Sequence, residues 1–318
     1  MKAVFLDYAT IDKSIDFSCV HNAVDELVFF SHTTNSEIVD KAKSADIVLT
    51  NKVELDAACL AQLPNLKLIC VTATGTNNVD LIAAKKHNIA VTNVSGYSTQ
   101  SVAQHIFAYL LNVVNNVEFY LGNNRRRPWH QSQTFCQIDA PINELSGKTL
   151  GILGFGNLGA AVAKLAEAFA MKIVISERPG ATNVRAGRIA FEEMLATADV
   201  VSVHCPLTED TKSLFNQKTF DQMKRGSIFI NTARGPIVDS DALVSSLKSK
   251  HIAHAIIDVL DNEPPEIDHP LLKNDIPNLT LTHHIAWGSM QAQQRLIDGV
   301  ADNIQSFLGG EKLNRVEG

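Results

Sequence analysis

Cysteine is scarce in this sequence, and the few cysteines present are not paired by spacing. The five are Cys19, Cys59, Cys70, Cys136 and Cys205, and no C-x-x-C motif occurs. Such a distribution argues against a disulfide framework and a structural zinc site, and it fits a reducing compartment. We therefore expect a cytoplasmic protein without a metal site.

Long apolar runs and an excess of positive charge are also missing. No window reaches the ~20 apolar residues that a membrane helix needs. The net charge of -6 gives no basic footprint for nucleic acid. The short basic run Arg125–Arg127 is more typical of a solvated loop or a local anion site. These absences predict neither a membrane nor a nucleic acid as a partner.

Motifs of two common hydrolase mechanisms are absent as well. The sequence has no G-x-S-x-G elbow and no H-E-x-x-H helix. Serine hydrolysis and zinc-dependent peptide hydrolysis are therefore poorly supported.

Two series of alternating strand and helix patterns occupy most of the chain. The alternation predicts an α/β fold with two parallel sheets, each covered on both faces. The first series has strands at Ala3–Leu6, Glu26–Phe30, Asp46–Thr50, Leu66–Ala73 and Ile89–Thr92. The second has strands at Thr149–Leu153, Lys172–Ser176, Val200–His204, Ser227–Thr232, His254–Val259 and Leu279–Thr282.

The segments between and after these series differ from them. A long apolar helix is predicted from Ser98 to about Asn115, and an amphipathic helix from Ser289 to about Gly309. The stretch Asn123–Pro141 has no clear periodicity and holds Trp129 and Phe135. This pattern predicts a long loop, and its aromatic residues indicate that it forms an interface or covers a site. The alternative is that they pack on the protein's own surface.

A glycine-rich turn follows the first strand of the second series. Gly154 permits a tight turn, Gly156 leaves room for a pyrophosphate, and Gly159 lets the next helix pack against the strand. The second strand ends in Glu177, whose carboxylate can accept hydrogen bonds from the adenosine ribose. Strand, glycines, helix, strand and acid in this order predict a dinucleotide site, with NADH preferred over NADPH. Arg178 could instead pair with a 2′-phosphate.

Polar residues also follow the later strands of this series, at the edge where such sheets bind ligands. Arg234 can bind a carboxylate and polarise a carbonyl through its forked donors. A histidine can supply a proton near neutral pH, and Glu263 can orient it and favour its charged form. Asp258 could accept from a nicotinamide amide or cap a helix. Spacing alone does not separate His283 from His284 as that donor.

The chain resembles the D-isomer-specific 2-hydroxyacid dehydrogenase family over nearly its whole length. The matching stretches are Ala73–Asp80, Gly96–Thr99, Gly154–Gly159, His204–Thr208, Asn231–Gly235, Asp258–Pro265 and Thr282–Trp287. The resemblance implies a flavodoxin-like substrate domain, 1–98 plus 289–318, and an inserted Rossmann domain, 99–288. It also implies NAD(H) as the cofactor and a small 2-keto or 2-hydroxy acid as the substrate.

The resemblance assigns roles to individual residues. It implies that Arg234, Glu263 and His284 are catalytic and that the backbone around Thr74 and Gly75 binds the substrate carboxylate. Arg234 and His284 are also expected to contact the substrate. His283 stands where the family usually has proline. The expected cofactor-binding residues are Gly154, Phe155, Gly156, Asn157, Leu158, Gly159, Glu177, Arg178, His204, Cys205, Pro206, Thr232, Ala233 and Asp258.

Within the family, the chain is most similar to glycerate dehydrogenase, also called hydroxypyruvate reductase, at Gly96–Thr99, at Trp129 with Ser132 and Phe135, and at Trp287. This implies a homodimer in which the Trp129 loop reaches toward the partner. The apolar residues from Val102 to Val114 predict that the long helix after Ser98 is also part of the interface. Glyoxylate and 3-phosphohydroxypyruvate are alternative substrates. A nucleotide-sensing protein of the corepressor type is an alternative from another class.

Overall fold

The computed structural model describes residues 1–126, 129–273 and 275–316. The chain divides into two compact units. Unit 1 holds Met1–Ser98 and the chain from Trp287 onward, and unit 2 holds Thr99–Ala286. No helix among the described residues is both long and apolar enough to cross a membrane.

Unit 1 is built on a five-stranded parallel sheet. Its first elements are β1 Lys2–Phe5, α1 Ser18–His21, β2 Glu26–Phe29, α2 Ile38–Ala42, β3 Ile47–Thr50, α3 Ala57–Leu60, β4 Leu68–Val71, α4 Leu81–Lys86 and β5 Ala90–Thr92. The strand order is β2-β1-β3-β4-β5, the flavodoxin-like order that the family resemblance implies. Strands β3 and β4 are buried along their whole length, as expected for a parallel sheet covered on both faces.

Unit 2 is built on a six-stranded parallel sheet. Its elements are α5 Thr99–Asn115, α6 Val117–Arg126, β6 Thr149–Leu153, α7 Asn157–Ala168, β7 Lys172–Ile175, α8 Phe191–Thr197, β8 Val200–Val203, α9 Gln217–Gln222, β9 Ser227–Asn231, α10 Ser240–Lys248, β10 Ile252–Ile257 and β11 Leu279–Leu281. The strand order is β11-β10-β9-β8-β6-β7. A single-residue parallel bridge joins Ser176 to Ile189 beyond β7. This bridge stands where the third strand of the usual dinucleotide-binding order 3-2-1-4-5-6 lies.

The last helix, α11 Met290–Leu308, belongs to unit 1. The Ser289 hydroxyl caps its first turn by accepting from the Ala292 N–H. Its apolar face, which includes Leu296, Ile297 and Val300, packs in one cluster with β1, β3 and β4. The predicted amphipathic helix thus covers one face of the five-stranded sheet.

The stretch read as a loop from Asn123 to Pro141 is partly helical. Helix α6 runs to Arg126, and Trp129–Gln131 forms a 3-10 turn. Arg127, the last member of the basic run, and Pro128 lie outside the described residues. The sequence missed α6 because its apolar residues do not form a stripe buried in a core: Leu121 is 62% exposed.

Candidate active site

The glycine turn after β6 has the geometry of a phosphate cradle. Gly154 has φ +96, and a Cβ there would collide with the backbone of His204 and Cys205. At Gly156 a Cβ would meet nothing within 4 Å, so the chain is open to a ligand there. Gly156 also precedes α7 without a side-chain cap, which leaves the first N–H groups of the helix available to an anion. Phe155, Gly156 and Asn157 are exposed at this turn.

Glu177 lies at the end of β7, but its carboxylate faces the following segment. The Arg185 side chain donates Nε–H to Oε2 at 2.7 Å and Nη2–H to Oε1 at 2.5 Å. The backbone N–H groups of Arg178 and Arg185 donate to the same two oxygens. Arg185 and these backbone donors hold the pKa of Glu177 well below its usual range. The sequence predicts that this carboxylate is open to a ribose, but in this structure Arg185 and the two backbone N–H groups occupy it.

Two buried polar atoms, just beyond the carboxyl ends of β8 and β9, have no protein partner in the described part of the chain. His204 Nε2 lies 2.9 Å from the Ser202 hydroxyl, while burial lowers the pKa of His204 to about 4, so the ring is neutral near pH 7. Within the part of the chain that the structure describes, His204 Nδ1 and Thr232 Oγ1 are buried without a hydrogen bond. A buried polar atom without a partner is costly unless a ligand or water satisfies it. Burial also raises the pKa of the neighbouring Cys205 thiol, to about 11.

Arg234 follows β9 and is held by Asn231, the last residue of that strand. The Asn231 amide donates to the Arg234 carbonyl at 2.9 Å and accepts from the Ala233 N–H at 3.0 Å. A Cβ at Gly235 would overlap the Leu260 carbonyl carbon, so glycine is needed for this close approach. Sequence reasoning gave Asn231 no role, although a buried amide at a strand end is a signal for one.

His284 and Glu263 form a direct pair. His284 Nδ1 lies 2.6 Å from Glu263 Oε2, and the two side chains are only 24% and 32% exposed. The other oxygen, Oε1, accepts from the Leu260 N–H at 2.9 Å, which fixes the carboxylate. The Glu263–Pro264 peptide bond is cis. Because Glu263 takes Nδ1, Nε2 is the ring nitrogen left to face a substrate.

Asp258, directly after β10, holds the loop that carries His284. Its buried carboxylate accepts from the Thr282 hydroxyl at 2.5 Å and from the Ile285 and Ala286 N–H groups, each at 2.9 Å. Its backbone carbonyl accepts from the His284 N–H at 2.8 Å. Among the described residues the next helical turn after β10 is the 3-10 turn Pro270–Leu272, which His269 caps, so the helix-cap alternative for Asp258 is wrong. A contact with a nicotinamide amide stays a prediction.

Helix α5 also contacts the loop that carries His284. The Ser101 hydroxyl donates to the Ala286 carbonyl at 2.7 Å. His105 Nε2 lies 3.3 Å from the Thr282 hydroxyl and 3.8 Å from Asp258 Oδ1. Burial lowers the pKa of His105, and the nearby Asp258 charge opposes that shift. No periodicity pointed to Ser101 or His105, because their partners lie far away in sequence.

The structure separates the two adjacent histidines by their surroundings. His283 is exposed, and among the described residues it makes no hydrogen bond or ion pair, whereas His284 contacts Glu263. Of the two, His284 is therefore the one with a carboxylate partner, and its role as proton donor stays a prediction.

Thr74 and Gly75 lie in unit 1, just beyond β4. The Thr74 hydroxyl donates to the Val94 carbonyl at 3.1 Å, and the Asn93 amide donates to the Thr74 carbonyl at 2.6 Å. These bonds fix the turn. Its expected role with a carboxylate stays a prediction.

Unit 2 as described is a dinucleotide-binding unit with an Arg, a Glu–His pair and an Asp at the ends of its strands. Residues 107–286 match the family described as D-isomer specific 2-hydroxyacid dehydrogenase, NAD binding domain. The chain belongs to this family and is an NAD-dependent oxidoreductase.

Similar proteins span the full length of the chain. A putative 2-hydroxyacid dehydrogenase of Haemophilus influenzae is 44% identical over 97% of this chain and 98% of its own length. A glycerate dehydrogenase of Methylorubrum extorquens is 39% identical over 99% of both chains. The crystal structure of the TT0316 protein from Thermus thermophilus has a TM-score of 0.86 at 30% identity, covering 99% of this chain and 100% of that chain.

The residues present fit the cofactor that the family implies. The turn is open at Gly156, and the N-terminus of α7 has no side-chain cap. Among the described residues, His204 Nδ1 and Thr232 Oγ1 are buried without a protein partner. Each is a feature that a bound dinucleotide would use.

Proposed function

We propose that this chain interconverts hydroxypyruvate and D-glycerate with NAD(H). The observation that carries the proposal is the contact of 2.6 Å between His284 and Glu263 in a unit whose strand ends also carry Arg234 and the glycine turn. An acid–base pair and a carboxylate-binding cation are what reduction of a 2-keto acid needs besides hydride. The choice of hydroxypyruvate rests on the similarity to glycerate dehydrogenase.

Each side chain of the proposed catalytic set has one task. Arg234 binds the substrate carboxylate and polarises the keto group, because its guanidinium offers two parallel N–H donors. His284 donates a proton from Nε2 to the keto oxygen during reduction and takes it back during oxidation. Glu263 keeps the ring oriented and favours its charged form. Together these steps turn a carbonyl into a hydroxyl once hydride reaches the carbon.

NAD(H) supplies or accepts that hydride when it is bound. We propose that its pyrophosphate lies on the glycine turn, against Gly156 and the first N–H groups of α7. His204, Cys205, Pro206, Thr232 and Ala233 would line the path along the carboxyl edge of the sheet. The assignment of the substrate carboxylate to Thr74 and Gly75 rests on the family resemblance.

We also propose a cytoplasmic homodimer. All five cysteines are free thiols, which fits a reducing compartment.

The homodimer is supported by exposed apolar side chains on α6 and the segment after it: Leu121, Trp129, Phe135 and Ile138. Such a surface is typical of an interface. The apolar face of α5, which the sequence assigned to the interface, is instead buried within unit 2.

Oxidation of NADH with a panel of keto acids tests the proposal. Hydroxypyruvate, glyoxylate, pyruvate and 3-phosphohydroxypyruvate are compared by kcat/KM. We expect the highest value with hydroxypyruvate. A higher value with another acid would reassign the substrate within the family, and tight NADH binding without any turnover would favour a nucleotide sensor.

A further inference from the structure

The acceptor capacity of the Glu177 carboxylate is completely used. Oxygen Oε1 accepts from the Arg178 N–H at 2.9 Å and from Arg185 Nη2 at 2.5 Å. Oxygen Oε2 accepts from the Arg185 N–H at 3.2 Å and from Arg185 Nε at 2.7 Å. An ionised carboxylate has about four lone-pair sites. No site is left for a further donor.

These four donors are of two kinds. Two are the backbone N–H groups of Arg178 and Arg185, which on their own would leave one lone pair free on each carboxylate oxygen. The remaining two donors come from one guanidinium, whose side chain is 55% exposed while that of Glu177 is 4% exposed. Arg185 therefore covers a buried carboxylate from the solvent side, and it can swing away only if another donor pair replaces it, because a buried unpaired carboxylate is costly.

The positions that Arg185 fills are the ones that a ribose would need. The adenosine ribose of NADH presents two adjacent hydroxyls, and each donates one hydrogen bond to an acidic side chain at this strand end. With Arg185 removed, Glu177 would offer one free lone pair on each oxygen, which matches two hydroxyl donors. The guanidinium fork thus competes directly with the ribose of NADH.

A 2′-phosphate changes this competition. NADPH has no 2′-hydroxyl donor, and its phosphate is an acceptor that suits arginine. Between positions 177 and 188 the chain carries three arginines, at 178, 185 and 188, and one acid, Glu177. The Arg178 side chain is exposed, so this segment offers positive charge to a phosphate.

We propose that Arg185 is a specificity-determining residue that occupies the ribose-reading carboxylate of Glu177, so that the wild-type enzyme discriminates little between NADH and NADPH. The inference rests on the cofactor site of the proposed function. It departs from the preference for NADH that Glu177 alone predicts, because the charge that would repel a 2′-phosphate is neutralised by Arg185.

Arg185→Ala should shift the balance toward NADH. It frees both lone pairs for the ribose and leaves Glu177 without its neutralising charge. We expect NADH to bind more tightly and NADPH more weakly, with the ratio of their dissociation constants shifting by roughly tenfold or more, the usual worth of a gained or lost hydrogen bond to a charged group.

Arg188→Ala is the matched control. Arg188 lies three residues away and donates to the Ser176 carbonyl at 2.9 Å rather than to Glu177. Its removal takes the same charge from the same segment. We expect it to weaken NADPH somewhat and to leave NADH affinity unchanged. If Arg185→Ala and Arg188→Ala shift the ratio equally, only net charge matters and the proposal is overturned.

The measurement is direct titration of the full-length protein with NADH and with NADPH, without substrate, by calorimetry or cofactor fluorescence. A wild type that prefers NADH by a large factor would overturn the proposal, and so would an unchanged NADH affinity in Arg185→Ala. Should the alanine variant unfold, Arg185→Lys keeps the charge but cannot fill both oxygens, and it should still tighten NADH.

A double-mutant cycle separates the direct contact from indirect effects. In a Glu177→Gln background, Arg185→Ala should no longer improve NADH binding, because the carboxylate is gone. An equal gain in both backgrounds would contradict the mechanism. Since substrate is absent throughout, failure of the hydroxypyruvate assignment would leave this test intact.

Discussion

His284 has a backbone conformation that few non-glycine residues adopt. Its φ of 55 lies in the left-handed region, a conformation that costs about 1–3 kcal/mol. The His284 N–H bond to the Asp258 carbonyl and the ring contact with Glu263 offset this cost. The backbone strain is therefore found at His284, whose ring needs one fixed orientation to transfer a proton.

The two adjacent histidines should differ sharply when replaced. His284→Ala removes the proposed proton donor, and we expect the rate of keto-acid reduction to fall by roughly 10²–10⁴-fold or more. His283→Ala removes an exposed ring without a described partner and should lose far less. Steady-state kcat with hydroxypyruvate and NADH measures both. An inactive His283→Ala beside an active His284→Ala would show that the catalytic role belongs to His283.

At the scale of elements, the Thr282–Ala286 loop depends on one carboxylate. Asp258→Asn keeps the shape but places an N–H₂ group opposite donors. Because the carboxylate accepts from Thr282, Ile285 and Ala286, we expect kcat to fall and unfolding free energy to drop by about 1–3 kcal/mol. Kinetics and urea unfolding together test this.

Asp239→Asn is the control for that variant. Asp239 caps α10 by accepting from the Ala242 N–H at 3.0 Å, and asparagine caps nearly as well. It should leave kcat and stability close to wild type. If Asp258→Asn behaves the same way, the loop does not depend on the carboxylate.

Regular elements were predictable from sequence because their signals are local. Strand β6 has the predicted bounds, and α5 and α11 match the predicted helices within a residue. Arg185 and the Ile189 bridge carried no signal, since no periodicity marks the segment between β7 and α8. The pairing of Glu263 with His284 followed from chemistry and family resemblance, but the bonds from Ser101, His105 and Asn231 depend on tertiary contacts.

At the scale of the whole molecule, two partly buried histidines couple stability to pH. Burial lowers the pKa of His204 and of His254 to about 4, while an unfolded histidine titrates near 6.5. Above about pH 6.5 both histidines are neutral in the folded and in the unfolded state, so they do not change the unfolding free energy with pH. As pH falls from there toward 4, the unfolded state binds more protons, so unfolding free energy drops by up to ~1.4 kcal/mol per pH unit for each histidine.

Urea unfolding at about pH 7.5 and about pH 5 measures this loss. His254→Gln should reduce the difference between the two pH values, because one titrating group is gone. His87→Gln, which changes an exposed residue, should leave the difference unchanged. An equal difference in all three proteins would contradict the coupling.

The exposed apolar surface predicts the state of assembly. Trp129 and Phe135 are 64% and 87% exposed, and the Trp129 indole donates to the Phe135 carbonyl at 3.0 Å. We expect light scattering after size exclusion to give a dimer. A monomer at all working concentrations would contradict the homodimer.

Trp129→Ala should weaken substrate use while leaving NADH binding intact.

The central claim is that His284 transfers the proton in its charged form and that Glu263 supports that form. The most direct test is the pH profile of kcat for hydroxypyruvate reduction in wild type and in Glu263→Gln. Glutamine keeps the shape but removes the negative charge 2.6 Å from His284 Nδ1. We expect the alkaline fall in activity to move to lower pH in the variant, because the charged histidine loses its partner. A profile that does not move would contradict it.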